Sequence, residues 1–113
     1  MTSTEFPIEI DVESVAGLLA AEEEFLFLDC REESEYAATN IPGTVLLPMG
    51  ELQDRIGELD QSRDSRVVVH CHHGGRSLRV ARWLRQQGFA QAQSMAGGID
   101  AWSERIDPNV PRY

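Results

Sequence analysis

Cys71 stands between the apolar run Val67-Val68-Val69-His70 and the segment His72-His73-Gly74-Gly75-Arg76-Ser77, a placement that suits a nucleophilic sulfur. Three β-branched residues, a short loop with two glycines, and then an apolar period near 3.6 from Leu78 onward read as strand, tight loop and helix. Gly74 and Gly75 allow positive φ, so that successive backbone N–H groups can point into one concavity closed by the first turn of the helix. Such a cradle binds anions, and a sulfur at its rim is favoured in its ionised form by the helix N-terminus and by neighbouring cations. Cys71 is therefore the candidate nucleophile, with Arg76 as a cation inside the loop itself. Ser77 either caps the helix or bonds the sulfur. His72 and His73 either act as donors in the loop near neutral pH or are simply exposed.

The elements needed to position that loop can be read in chain order. Phe6 to Ile10 alternates apolar and acidic residues as a first strand, and Asp11 is a plausible N-cap for a helix carrying Val12, Val15, Leu18 and Leu19. Phe25 to Leu28 is a continuous apolar run suited to a strand buried on both faces, with Asp29, Cys30 and Arg31 at its C-terminal end. A short helix over Glu32 to Ala38, the turn Ile41-Pro42-Gly43 and a strand over Thr44 to Leu47 follow. Pro48-Met49-Gly50 opens a helix with Leu52, Ile56 and Leu59 on one face, and a polar turn from Gln61 to Ser65 leads to the strand Arg66 to His70. The helix after the Cys71 loop spans Ser77 to Gln87 and stops at Gly88. Ala92 to Met95 is a last strand, Gly97-Gly98 starts a helix with Ile99, Ala101 and Trp102, and Asp107 to Tyr113 is an irregular tail. Strands alternating with helices imply an α/β layer fold with a mostly parallel sheet and right-handed crossovers. Ligands in such sheets sit at the carboxyl ends of the strands, where Arg31 and Cys71 both fall.

Composition narrows the classes. The 113 residues, 42% of them hydrophobic, suffice for one domain with a single modest core. Met1 to Pro7 has no basic, apolar signal pattern and no run approaches the roughly 20 apolar residues that span a bilayer, so a cytoplasmic protein is expected. Two cysteines in a chain of this size are read as reduced thiols rather than a disulfide scaffold. A net charge of −9 argues against nucleic acid and anionic membranes as partners. The charge is uneven: no acidic residue lies between Asp64 and Asp100, whereas Arg66, Arg76, Arg79, Arg82 and Arg85 do. Arg79, Arg82 and Arg85 read as the solvated face of a helix.

Four motifs in order, Asp29-Cys30-Arg31-Glu32, Ile41-Pro42-Gly43, Cys71 to Ser77 and Gly97-Gly98-Ile99-Asp100-Ala101-Trp102, resemble a single-domain rhodanese, a thiosulfate-type sulfurtransferase. The resemblance runs from about Phe6 to Trp102. It implies a rhodanese-like three-layer fold with a central, mostly parallel five-stranded sheet flanked by helices, and a Cys71 that carries sulfane sulfur as a persulfide. It also implies Arg31 as a second anion contact, unless Arg31 pairs with a neighbouring glutamate. Two departures stand out: Thr39-Asn40 where the family often has Gly-His, and Cys30 where it usually has an aliphatic residue.

The expected site is therefore Cys71 as nucleophile with Arg31, His72, His73, Gly74, Gly75, Arg76 and Ser77 around the substrate. The expected partners are a small anionic donor such as thiosulfate and an acceptor that is cyanide, a thiol or a protein. No cofactor is expected. His70-Cys71-His72-His73 is not read as a metal site, because adjacent positions on a strand point apart and no second ligand group accompanies them. Two rivals are a non-catalytic rhodanese-like binding module and a Cys-based phosphatase. Phosphatases of that kind use Cys-x5-Arg, one residue longer than the Cys-x4-Arg of Cys71 and Arg76.

Overall fold

The computed structural model describes residues 6–113; Met1 to Glu5, part of the stretch in which no signal segment is read, lie outside the described residues. Five strands, β1 (Glu9–Ile10), β2 (Leu26–Asp29), β3 (Val45–Leu46), β4 (Val67–His70) and β5 (Ala92–Met95), form one sheet in the order β1-β5-β4-β2-β3. Every pairing is parallel. β4 lies at the centre, with Asp29 of β2 opposite its last residue, His70. Parallel neighbours need crossovers, and the segments carrying α1 (Val12–Ala20), α2 (Glu33–Ala38), α3 (Leu52–Arg55) and α4 (Gly75–Gln86) supply them, while α5 (Gly98–Arg105) follows the last strand.

Alternation along the buried strands divides the core into two layers. Leu28, Val67 and Val69 point to one face and pack with Leu52, Val80, Ala81 and Leu84 from α3 and α4. Phe27, Val68 and Met95 point to the other and meet Val12, Val15, Ile99 and Trp102 from α1 and α5. All four residues of β4 are buried, as the run Val67-Val68-Val69 requires of a strand covered on both sides.

Three departures from the sequence reading exceed a one-residue shift at a strand or helix end. The expected helix through Leu52, Ile56 and Leu59 is broken into a 3₁₀ turn at Met49–Glu51, the single turn α3, and a 3₁₀ stretch over Ile56–Ser62. Gly50 and Gly57 weaken a continuous helix there, and burial of Leu52 and Leu59 holds the segment in place instead. The first strand shrinks to Glu9–Ile10. Helix α4 starts at Gly75, two residues before Ser77, because Gly74 serves as its N-cap with φ 114°. No helix among the described residues is long and apolar enough to cross a membrane.

Candidate active site

β4 ends at His70, and the chain leaves the sheet's carboxyl edge through Cys71 into α4. The Cys71 sulfur lies under the start of that helix: the N–H groups of Gly74 and Ser77 donate to Sγ at 3.0 and 3.3 Å. These are the N-cap and third-position amides of α4, groups a helix leaves without internal partners, so the sulfur occupies the place usually taken by a capping oxygen. Of the loop amides expected from His72 to Ser77, these two are aimed at the sulfur. The Cys71 thiol donates in turn to Ser77 Oγ at 3.4 Å, and that hydroxyl reaches Ser94 Oγ at 2.7 Å and the Gly74 carbonyl at 3.2 Å. Ser77 thus bonds the sulfur and does not stand at the cap position. Cys71 as a whole is only 1% exposed, so the sulfur lies inside the cradle and not at its rim as expected.

The two loop glycines have different roles. Gly74 carries the positive φ, and a Cβ there would sit 3.3 Å from the Gly97 nitrogen. Gly75 is the first helical residue, with open space around its missing Cβ, so the expectation of a left-handed backbone at both positions holds only for Gly74. A second turn locks the loop from behind. Ile99 N–H donates to the Cys71 carbonyl at 2.8 Å and Asp100 N–H to the His72 carbonyl at 3.1 Å. That approach demands Gly98: a Cβ would lie 2.4 Å from the Cys71 oxygen, and φ is +59°. The Gly97-Gly98 motif therefore seats α5 against the Cys71 loop.

Arg76 leans out of the cradle onto Glu35 of α2. Its Nη1 and Nη2 donate to the two carboxylate oxygens at 2.7 and 2.9 Å. The guanidinium holds the Glu35 carboxyl well below the ordinary carboxylate range, against the opposing effect of partial burial. Glu35 also accepts from the Glu32 N–H at 2.9 Å and the Tyr113 hydroxyl at 2.6 Å. Neither Glu35 nor Tyr113 was among the residues read from the sequence. The position of Glu35 in the first turn of a short helix was a visible signal, but its partner lies 41 residues away.

Arg31 departs from expectation. It is fully buried and pairs with Asp29, not with a glutamate: Nε donates at 2.9 Å and Nη2 at 2.7 Å. Its other donors reach the carbonyls of Thr39 and Glu35 and the Tyr113 hydroxyl. With no exposed surface and its donors engaged, the guanidinium braces the carboxyl end of β2 and is not open to an anion. A charge so enclosed must be paired, since losing either partner leaves the other uncompensated.

His72 and His73 stack on one another, with ring centroids 3.9 Å apart, and Tyr113 stacks on the other face of His72 at 4.0 Å. His73 is exposed, and its Nε2 lies 3.8 Å from Asp100 Oδ2. His72 and His73 do not point apart as expected, because this segment is loop and not strand. His72, His73 and Asp100 bring ligand atoms within 4.8 Å of one another. In stacked imidazoles, however, the in-plane lone pairs run side by side rather than converging, and Asp100 is already held by Arg112 at 2.9 Å.

Two buried groups lie beneath the loop. Cys30 is enclosed, donates to the His70 carbonyl at 3.5 Å, and burial pushes its thiol far above the usual range. Both cysteines are free. Burial also pushes the His70 imidazole down to about 4, against the pull of Asp29, so His70 is neutral at physiological pH.

A parallel five-stranded sheet with this Cys-to-Arg loop at its carboxyl edge defines a recognised class. The rhodanese-like domain family matches residues 11–105, and the chain belongs to that family. It is 39% identical over 102 residues to a sulfurtransferase of Allochromatium vinosum, covering 90% of this chain and 94% of that one. A chloroplastic rhodanese-like/PpiC domain-containing protein of Arabidopsis thaliana is 35% identical over 95 residues, which cover 80% of this chain but 31% of the longer relative. Among solved structures, a human single-domain sulfurtransferase superposes with a TM-score of 0.78 at 23% identity, covering 88% of this chain and 98% of that one.

Proposed function

We propose that the protein is a sulfurtransferase in which Cys71 accepts sulfane sulfur from thiosulfate or a persulfide donor and passes it to a thiophilic acceptor. The observation that carries this reading is the pair of N–H groups, from Gly74 and Ser77, directed at the Cys71 sulfur. A thiolate there attacks the outer sulfur of thiosulfate. The new S–S bond forms as the donor's own S–S bond breaks, and sulfite leaves with the electron pair. Cyanide or a thiolate then attacks the terminal sulfur of Cys71-S-S⁻, releasing thiocyanate or a new persulfide and regenerating the thiolate. Each intermediate is anionic, and a charge-assisted hydrogen bond contributes roughly 1.5–3 kcal/mol to holding it.

The bacterial relative named as a sulfurtransferase supports sulfur transfer as the chemistry, and the short Cys-x4-Arg loop favours sulfur over a phosphate group. In this reading His72, His73, Gly74, Gly75 and Ser77 form the wall around the donor. Arg76 meets its oxyanion once released from Glu35. The domain is a single unit acting in the cytoplasm.

Mass spectrometry of the intact protein tests the reading. Thiosulfate should add one sulfur, about 32 Da, and Cys71→Ala should abolish both the adduct and thiocyanate formation. Turnover by the alanine variant would overturn it.

A further inference from the structure

Arg31, Arg55, Arg63, Arg76, Arg105 and Arg112 all face carboxylates. Arg85 donates to the backbone carbonyls of Phe6, Pro7 and Ala92, and Arg66 lies over the Phe6 ring. Among the described residues, Arg79 and Arg82 have no such partner, and both are exposed. In a chain of net charge −9, two free guanidinium groups side by side on one helix face are unusual enough to need a reason.

They rim a groove of about 390 Å³ between α3 and α4. Its walls are the buried Leu52 and Val80 and the half-buried Met49 and Trp83, and the remaining lining side chains are glutamines. No carboxylate lines it. Its Met49 wall is tied to the sheet edge that carries Cys71: Met49 N–H donates to the Cys30 carbonyl, and the Cys30 N–H donates to that of His70. The same helix that rims the groove begins at the Cys71 loop.

We propose that this groove docks an acidic segment with an apolar anchor, belonging to a protein that receives sulfur from Cys71. The recipient's role rests on the sulfur-transfer reading, whereas the docking itself rests on the groove. The anchor would lie on Met49, Leu52, Val80 and Trp83, where an aromatic or branched side chain loses water against Trp83. Carboxylates flanking it would meet Arg79 and Arg82. A small acceptor such as cyanide needs none of this surface, so the groove matters only for a macromolecular recipient.

The test uses the full chain and a fluorescein-labelled hexapeptide, Glu-Asp-Leu-Phe-Glu-Asp, followed by fluorescence anisotropy, with Gln-Asn-Leu-Phe-Gln-Asn as its uncharged counterpart. The acidic peptide should bind saturably, weaken with salt, and lose at least about tenfold in affinity in the double variant Arg79→Glu, Arg82→Glu. The milder Arg79→Gln, Arg82→Gln pair should lose less, and it guards against a folding defect. Both pairs should keep thiosulfate-to-cyanide transfer unchanged. Equal binding of the two peptides, unchanged binding by the double variants, or no saturable binding overturns the proposal. So does self-association of the wild type that the variants abolish, because the occupant would then be a second copy of this chain. Arginine-dependent binding without any thiocyanate formation would leave the docking surface standing and remove the sulfur-transfer reading.

Discussion

The Tyr113 hydroxyl lies 2.6 Å from Glu35 Oε2, the carboxylate that also holds both terminal nitrogens of Arg76. The chain's last described residue is thereby tied to the arginine of the Cys71 loop, and its ring stacks on His72 of the same loop. Asp107 to Tyr113 is irregular, as its two prolines indicate, yet it is anchored: Val110 is buried against the α5 layer, and the Ser103 hydroxyl donates to its carbonyl.

Under the proposed function, an incoming anion would have to displace Glu35 from Arg76. Glu35→Gln should free the guanidinium, lowering the thiosulfate KM about three- to tenfold and steepening its salt dependence. Arg76→Ala should raise KM. If neither variant moves KM, Arg76 serves only to join the loop to α2.

Cys30→Ser should retain most transfer activity, because the Cys30 thiol is sealed at the carboxyl end of β2 and burial keeps it protonated. Its serine hydroxyl would be enclosed with one poor acceptor, so the variant should lose about 1–2 kcal/mol of stability in a urea titration. An inactive but folded serine variant would indicate a two-cysteine relay.

Gly98→Ala should destabilise by at least about 2 kcal/mol, since its methyl would collide with the Cys71 and His72 carbonyls at a left-handed backbone position. Gly75→Ala meets open space and should be neutral or gain up to about 1 kcal/mol. Thermal melts of the two variants compare them directly, and equal melting temperatures would contradict the packing of α5 against the loop.

His70 gives a pH window. Its imidazole titrates at about 4 when folded against an ordinary value of 6.5, so between these limits the unfolded chain binds more protons. Stability is therefore full above pH 6.5 and falls as the pH drops toward 4, by roughly 3 kcal/mol from this group. Urea titrations across that range should show the slope, and His70→Gln should flatten it. A wild-type slope that persists in the glutamine variant would assign the effect elsewhere.

Much of the architecture was legible because the signals were local. Val67-Val68-Val69 reads as a strand, Phe25 to Leu28 as one buried on both faces, and the double glycines as the starts of two helices. Asp11 caps α1 through the Ser14 N–H, as its position before Val12 implies. What could not be read were partners distant in sequence. Arg31 reads as an anion contact or the partner of a neighbouring glutamate, but it is enclosed against Asp29, and the Thr39 carbonyl and Tyr113 hydroxyl that complete its bonds come from further along the chain. The Arg76–Glu35 pair and the burial of Cys71 likewise follow from how α2 and α5 settle on the sheet edge, and no spacing along the chain encodes that.

A sulfur that terminates a helix has a mechanical side. Moving the negative charge one atom outward, from the cysteine sulfur to an added one, shifts the acceptor away from the Gly74 and Ser77 amides that it now satisfies. The first turn of α4 should therefore register whether the protein is loaded, and amide-proton chemical shifts at those two positions would distinguish the empty form from the charged one without following any reaction.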